Sequence, residues 1–179
     1  MLKKRDLYEC HSLYNLMMDP VVFPYVRYKC QSYEEYLFIT NQLIAQEEQK
    51  TCISRTILNE MGHPIGNIDL YNIVDNTGFL ATWIGTPYFG KGYNQRAKES
   101  FLAELFLQHN IETVFMKIRK GNIRSKKAVE KLQYVKLAND TNLEVYQTIN
   151  HTDQIYDLYH VERLGFLESC EDMQHVVAT

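Results

Sequence analysis

The sequence predicts a mixed α/β fold in which helices flank a central, mostly antiparallel sheet. The hydrophobic period changes near Thr51, from the spacing of helices to the alternation of strands. A strand–helix–strand order over residues 79–119 then predicts a parallel, right-handed crossover within the sheet. With 179 residues, the chain is expected to form one domain over residues 1–179, with a core at about 6–163 and a tail at 164–179.

The first half of the chain supplies two helices and three strands. Apolar residues at helical spacing predict a helix over 6–18, which stops before Pro20. Ser32 followed by Glu35 is a capping-box signature and predicts a second helix from Ser32 to about residue 48. Alternating patterns, separated by turns at 61–63 and 75–78, predict strands over 51–59, 64–73 and 79–84.

The second half begins with an amphipathic helix, predicted from about Gln95 to about His109. A strand over 113–119 and a helix over 122–132 follow it. Two closing strands are predicted at 143–149 and 155–163, and the tail after Leu164 receives no assignment.

Composition and sequence pattern argue against several classes of protein. The formal net charge of −3 argues against a general nucleic-acid binder, which would usually be basic. No apolar run reaches the roughly 18–20 residues that a membrane span needs, and no apolar stretch of a secretory signal follows the basic start. Four scattered cysteines without a C-x-x-C pair indicate neither a metal site nor a disulfide framework, so we expect reduced thiols in a cytoplasmic protein: Cys10, Cys30, Cys52 and Cys170.

The most informative stretch is a loop with several glycines between a strand and a helix. Residues 84–96 read I-G-T-P-Y-F-G-K-G-Y-N-Q-R. Glycines let main-chain N–H groups approach a ligand closely, and a helix N-terminus adds unpaired donors, so the loop suits a phosphate-bearing cofactor. It is not a Walker A loop, because Gly92 follows Lys91, and it lacks the third glycine of a dinucleotide fingerprint. An ordinary glycine-containing connection is the alternative.

A basic cluster lies one strand downstream, in and before the helix predicted over 122–132. Its members are Lys117, Arg119, Lys120, Arg124, Lys126, Lys127 and Lys131. They would attract phosphate groups, or they would form a solvated helix face.

Together the two segments resemble the Gcn5-related N-acetyltransferases (GNAT), and most closely their ribosomal-protein N-terminal acetyltransferase (Rim-type) branch. The family's acyl-CoA loop, R/Q-x-x-G-x-G/A, corresponds to residues 89–94. The Rim-type tract W-I-x-x-x-Y-W-G-K-G-Y matches residues 83–93. The downstream motif N-x-x-S-x-x-x-x-E-K-L-G-F matches 122–134, with Gln133 and Tyr134 in place of the Gly and Phe. The resemblance covers about residues 6–163 and implies the GNAT-like acyl-CoA N-acyltransferase fold. The family's usual first strand is expected to be missing, because the first predicted helix begins almost at Met1.

The resemblance implies that acetyl-CoA is the cosubstrate and that no metal takes part. It places the cofactor contacts at Trp83, Ile84, Phe89, Gly90, Lys91, Gly92, Tyr93, Asn94, Asn122, Ser125 and Lys127. The amides of residues 89–94 would hold the pyrophosphate, and the strand edge at 82–84 would pair with the pantetheine arm. Phe89, Asn94 and Arg96 depart from the usual polar residue, small residue and Glu of the pattern.

Catalytic groups are harder to assign. Asp69 is the first candidate for a general base, and a solvent-facing strand position is its alternative role; His63, in a turn, is a second candidate. Many family members protonate the leaving thiolate with a tyrosine where this chain has Val129, which cannot serve. In the Rim-type branch, a serine that corresponds to Ser125 is the candidate proton donor. Capping the first helical turn is the alternative role of Ser125. Tyr71 and His160 are candidates to line an acceptor pocket.

The resemblance implies an N-acetyltransferase acting on a primary amine, either the α-amine of a protein N-terminus or a small molecule such as an antibiotic or a polyamine. A non-catalytic acyl-CoA-binding module and a nucleotide-binding protein are the alternatives. A monomer or homodimer is expected. Acidic residues of the second helix would attract a cationic acceptor or form a solvated face: Glu34, Glu35, Glu47 and Glu48.

Overall fold

The computed structural model describes residues 1–177, with side chains described as far as residue 171. The strands are β1 (Leu2–Lys4), β2 (Cys52–Leu58), β3 (Pro64–Val74), β4 (Thr77–Ile84), β5 (Thr113–Arg119), β6 (Lys136–Leu137) and β7 (Tyr156–Glu162). The helices are α1 (Cys10–Met17), α2 (Tyr33–Glu48), α3 (Tyr93–Gln108), α4 (Ile123–Glu130), α5 (Leu143–Ile149) and α6 (Arg163–Val177). Short 3-10 turns lie at Phe23–Tyr25 and Thr86–Tyr88.

The seven strands form one sheet in the order β1-β2-β3-β4-β5-β7-β6. Each neighbouring pair is antiparallel except β4 and β5, which are parallel. That parallel pair is short, because only Thr77–Phe79 align with Thr113–Phe115. Beyond this point, β4 continues to Ile84 and β5 continues to Arg119 without pairing with each other, so the two strands diverge and leave a gap in the sheet.

Each face of the sheet has its own hydrophobic core. On the first face, Phe101 and Leu105 of α3 pack with strand residues such as Ile68, and Val129 of α4 and Phe166 of α6 belong to the same cluster. On the second face, α1, α2 and α5 cover the sheet through smaller clusters around Leu13, Tyr36, Leu43 and Leu158. Because strand side chains alternate, Ile68 and Leu70 of β3 point to the first face, and Asn67, Asp69 and Tyr71 point to the second.

The mixed fold and the order of its main elements are confirmed. Ser32 caps α2 as predicted, since its hydroxyl accepts from the Glu35 N–H at 3.1 Å. The crossover over β4, α3 and β5 is present, and α3 begins at Tyr93, two residues before Gln95.

Two expectations about secondary structure are wrong. The first strand is present: Leu2–Lys4 pair with Arg55–Ile57, and α1 begins only at Cys10. Residues 143–149 form helix α5 and not a strand, because β7 already occupies the open edge of β5. The apolar side chains of α5 pack as one helical face on Phe115 and Leu158. The pattern also missed β6 and the helix in the tail.

Candidate active site

A cleft of about 870 Å³ opens where β4 and β5 diverge. At one end it is lined by the loop before α3 and by α4, and we call this part (residues 89–95 and α4) the loop end. At the other it is lined by α2 and by the segment between α1 and α2, and we call this part (residues 22–29 and α2) the roof end. Asp19, at the start of that segment, accepts a 2.6 Å hydrogen bond from Thr86, which ties the roof end to the loop after β4.

The wall formed by β4 offers main-chain groups to the cleft. The Gly85 N–H donates to the Ile65 carbonyl at 2.8 Å. Because antiparallel residues alternate between hydrogen-bonded and non-hydrogen-bonded pairs, the N–H groups of Ile84 and Thr82 point away from β3, toward the gap. The Thr82 hydroxyl is also buried, and it has no partner among the described residues. An extended ligand with amide groups can pair with this edge.

The loop end has the geometry of an anion site. Gly90 and Gly92 have φ values of +72° and +77°, and a Cβ added at either would meet nothing within 4 Å, so the space beside both is open. Gly92 is the N-cap of α3, and the first main-chain bond of the helix runs from the Arg96 N–H to the Gly92 carbonyl at 3.1 Å. The N–H groups before Arg96 are the unsatisfied donors of a helix start. Open space beside unpaired N–H groups at a helix start is what a phosphate site needs.

The main-chain N–H of Phe89, predicted to contact the phosphate, is used within the protein instead. The Phe89 N–H already donates to the Thr86 carbonyl at 3.1 Å, so it is not free for a pyrophosphate. The Phe89 ring instead carries the Arg124 guanidinium at 4.2 Å from its centroid, which holds a cation beside the loop. Lys91 and Lys127, both predicted to contact the cofactor, lie outside the cleft lining. The other predicted contacts line the cleft: Trp83, Ile84, Phe89, Gly90, Gly92, Tyr93, Asn94, Asn122 and Ser125.

The start of α4 brings Ser125 to the cleft. Asn122 is the N-cap, and its side-chain oxygen accepts from the Ser125 N–H at 3.2 Å. Asn122 therefore performs the capping that was the alternative role of Ser125, and the Ser125 hydroxyl has no hydrogen-bond partner among the described residues. Val129, one turn further along, also lines the cleft and is 1% exposed.

Asp69 is buried on the second face and lines the cleft, so the solvent-facing alternative is wrong. The Ser54 hydroxyl donates to one of its carboxylate oxygens at 2.5 Å. Burial raises the pKa of Asp69 above its usual range, although the Ser54 hydrogen bond and the positive charges of Arg5 and Arg27 oppose the shift. A carboxylate whose pKa is raised toward neutrality is a better general base than an exposed one.

Of the remaining candidate residues, one lines the cleft and two lie outside it. Tyr71 lines the cleft, beside Asp69 on β3. His63 lies in the turn between β2 and β3, outside the lining. His160 is buried away from the lining, stacked on Phe115, and its burial lowers the pKa of its ring.

Four cationic side chains of the cleft were missed: Arg5, Arg27, Lys29 and Lys98. Lys98 of α3 is 5% exposed, and its burial lowers its pKa to about 8. Its spacing from Phe101 and Leu102 places a lysine on the apolar stripe of the helix, which was a usable signal. Arg5 and Arg27 also line the cleft, and no local pattern marks either of them.

The fold and the cleft are those of an acyltransferase that takes its acyl group from a phosphate-bearing carrier. The family model described as an acetyltransferase (GNAT) domain matches residues 2–135 of this chain. The chain belongs to the GNAT acetyltransferases, and acetyl-CoA is the cosubstrate. No curated protein matches the sequence.

Solved structures agree on the fold. Spermidine N-acetyltransferase from Vibrio cholerae, in complex with CoA and spermine, is 13% identical, with a TM-score of 0.76 over 93% of this chain and 97% of that chain. Apo FdhC, described as a nucleotide-linked sugar GNAT, is 13% identical, with a TM-score of 0.77 over 98% and 92%. A candidate ribosomal-protein-serine acetyltransferase from V. cholerae is 13% identical, with a TM-score of 0.70 over 90% and 92%. At this identity the likeness concerns the fold alone.

Residues 1–177 contain neither a candidate membrane span nor a candidate metal-binding group. Their helices are all too short or too polar to cross a bilayer. Their histidines, cysteines and acidic residues form no group of three suited to holding a metal ion.

Proposed function

We propose that this protein is an N-acetyltransferase that moves the acetyl group of acetyl-CoA to a primary amine held at the roof end of the cleft. The observation that carries the proposal is a single cleft that joins the open glycine loop, the unpaired edge of β4 and the buried Asp69. The acceptor is the α-amine of a protein N-terminus, as in the Rim-type branch, or a small-molecule amine. The four cysteines are free, which fits a cytoplasmic enzyme.

The loop end holds the phosphates. The N–H groups around Gly90 and Gly92 donate to the pyrophosphate, and the helix start of α3 adds a favourable dipole. Arg124 and Lys98 add positive charge within the same cleft. The outward N–H groups of Thr82 and Ile84 pair with the amides of the pantetheine arm, and one β4 N–H stabilises the oxyanion.

Asp69 and Ser125 carry the proton transfers. Asp69 accepts a proton from the attacking ammonium group, so that a neutral amine reaches the thioester carbonyl. An α-amine has a pKa near 7.7–8.0 and needs less help than a lysine, whose pKa is about 10.4. Ser125 gives its hydroxyl proton to the leaving thiolate, because its side chain is free and faces the cleft. Water accepts the second proton that the amine nitrogen loses as the amide forms, and water returns one proton to Ser125.

The test measures CoA binding and thiol release in a matched pair of glycine variants. Gly92→Ala places a Cβ in the loop end, whereas Gly62→Ala places one in the β2–β3 turn, also at a positive φ and in open space. Both changes cost about 1–2 kcal/mol of backbone strain. We expect only Gly92→Ala to weaken CoA binding, and we expect the native chain to release thiol from acetyl-CoA with at least one amine. Equal CoA affinity in the two variants would refute the assignment of the loop end.

A non-catalytic acyl-CoA-binding module is the second candidate, and Val129 favours it, because this side chain cannot donate a proton. That candidate predicts that CoA raises the melting temperature while no α-amine, polyamine, aminoglycoside or peptide releases thiol.

A further inference from the structure

We propose that the acceptor carries an anionic group, a carboxylate or a phosphate, beside its amine, and that Arg5 and Arg27 bind this group at the roof end. The proposal rests on the proposed function, which it deepens by naming the substrate class. It also excludes polyamines as the acceptor.

Arg5 is a buried cation with unused donors. It follows β1, is 6% exposed and lines the cleft. Its Nη2 donates to the Tyr36 hydroxyl at 3.2 Å and to the Thr40 hydroxyl at 3.1 Å. Its Nε and Nη1 are buried and have no partner among the described residues, and none of those residues brings a carboxylate oxygen within 4 Å of its guanidinium. The negative charge of Asp69 acts on Arg5 but forms no ion pair with it. A buried charge with unmade hydrogen bonds is costly, and an anion at these donors would lower that cost.

Arg27 supplies the second cation. Its guanidinium stacks on the Tyr71 ring at 3.5 Å from the centroid and lies 4.5 Å from that of Tyr28. Stacking uses the flat face of the guanidinium and leaves its edge, with the N–H donors, available to an anion. Arg27 forms no ion pair within residues 1–171. Since both rings line the cleft, its charge stands at the roof end.

The charge of the lining opposes a polycationic acceptor. Among the described residues that line the cleft, Asp69 is the one acidic side chain, and the cations Arg5, Arg27 and Lys29 stand at the same end. Glu47 of α2 is instead paired with Arg55 at 2.9 Å. The four glutamates of α2 considered above lie outside the lining. A substrate with several ammonium groups would therefore meet one carboxylate and two guanidinium groups. An amine with one anionic group would instead place its ammonium group near Asp69 and its anionic group near the arginines.

The planar fork of Arg5 fits either a carboxylate or a phosphate, and the experiment distinguishes these sources. Acceptors are offered in pairs that differ by one anionic group: tyramine with tyrosine, and ethanolamine with O-phosphoethanolamine. Spermidine is the polycation. Thiol release gives kcat/KM for each, and calorimetry on the CoA-saturated protein gives affinities without turnover. We expect an anionic member to exceed its neutral partner by about tenfold or more in kcat/KM or in affinity, the size of a charge-assisted contact.

Variants assign the preference to the two arginines. Arg27→Gln, at an exposed residue, should raise KM for the anionic acceptor about tenfold and leave kcat unchanged, because it removes binding that is the same in ground and transition states. Arg5→Lys keeps the charge and loses the planar fork, so it should weaken the preference without abolishing folding. Lys4→Gln is the matched control: it removes a positive charge from the adjacent residue, whose side chain is 80% exposed and outside the lining. It should leave the preference unchanged.

Equal kcat/KM and equal affinity within both pairs would overturn the proposal, and so would faster acetylation of spermidine than of either anionic amine. An equal loss of preference in Lys4→Gln would also overturn it, since the effect would then come from net charge. Failure of the proposed function looks different: no amine would release thiol, while calorimetry would still compare the paired acceptors.

Discussion

Replacing Asp69 with asparagine tests the general base directly. The change keeps the size of the side chain and an oxygen that can accept the 2.5 Å hydrogen bond from Ser54, so the packing on the second face is preserved. What it removes is a carboxylate that is 5% exposed. We expect kcat to fall by about 10²–10⁴-fold, the usual contribution of a positioned base, while CoA affinity stays unchanged.

The same substitution should stabilise the protein near neutral pH. Burial makes the pKa of Asp69 higher in the folded than in the unfolded chain, so the folded protein holds the proton more strongly. The free energy of unfolding of the native chain therefore falls as pH rises from the ordinary aspartate range through the raised pKa. Each tenfold change in the acid constant on folding is worth about 1.4 kcal/mol, or about 3–5 °C in Tm for a chain of this size. Asparagine does not ionise, so the Asp69→Asn variant keeps its free energy of unfolding over this pH range.

Stopped thiol-release assays and thermal melts over a pH series measure both effects, with Asp140→Asn, at an exposed turn residue, as the control. The acidic limb of the native rate profile should lie above the ordinary aspartate range, and the difference in Tm between Asp69→Asn and the native chain should grow with pH and then level. A variant with native kcat at every pH would refute the base. A variant less stable than the native chain at neutral pH would refute the buried, costly carboxylate.

Three further outcomes are expected. Ser125→Ala should lower kcat about 10²-fold in the thiol assay, the lower end of general-acid catalysis, with CoA affinity intact; an unchanged kcat would show that water protonates the thiolate. Lys98→Met should raise Tm at pH 7, because it removes a buried positive charge. The native chain should gain stability from about pH 8 upward, where the folded lysine deprotonates before the unfolded one, and the variant should lack this gain. Identical pH–Tm curves for the two proteins would contradict this. Arg55→Ala should lower the free energy of unfolding in urea by about 3 kcal/mol, because it leaves Glu47 and Glu104 without the 4%-exposed guanidinium that joins α2 to α3. A loss below about 1 kcal/mol would show that these ion pairs are no stronger than ordinary surface salt bridges.

The fold was accessible from the sequence wherever a local signal existed. The Ser32–Glu35 capping box and the change of period at Thr51 depend on neighbouring residues, and the corresponding elements are present. β1 has three residues and lies at a sheet edge, so main-chain pairing with β2 forms it without any apolar pattern. Residues 143–149 carry apolar side chains that fit both periods, and packing against β5 and β7 decided for a helix.

One part of the candidate site was also marked by a local sequence signal, and the other part was not. The loop end follows from glycines adjacent in sequence, whose positive φ values only that residue adopts easily. The roof end does not: Arg5, Tyr36 and Asp69 meet only because β1, α2 and β3 fold together across more than sixty residues. No spacing rule could have indicated that Arg5 enters a cleft, whereas Lys98 interrupts an apolar stripe and could have been noticed.

The divergence of β4 and β5 bears on how such a protein can change over time. A ligand that completes the sheet through main-chain groups is recognised without regard to which side chains stand on those strands. Under the proposed function, substitutions of side chains around the cleft can therefore change which amine is accepted, while the main-chain contacts to the acyl carrier stay the same. A few side-chain substitutions can therefore give a new acceptor specificity, because the groups that carry out the acyl transfer are unchanged.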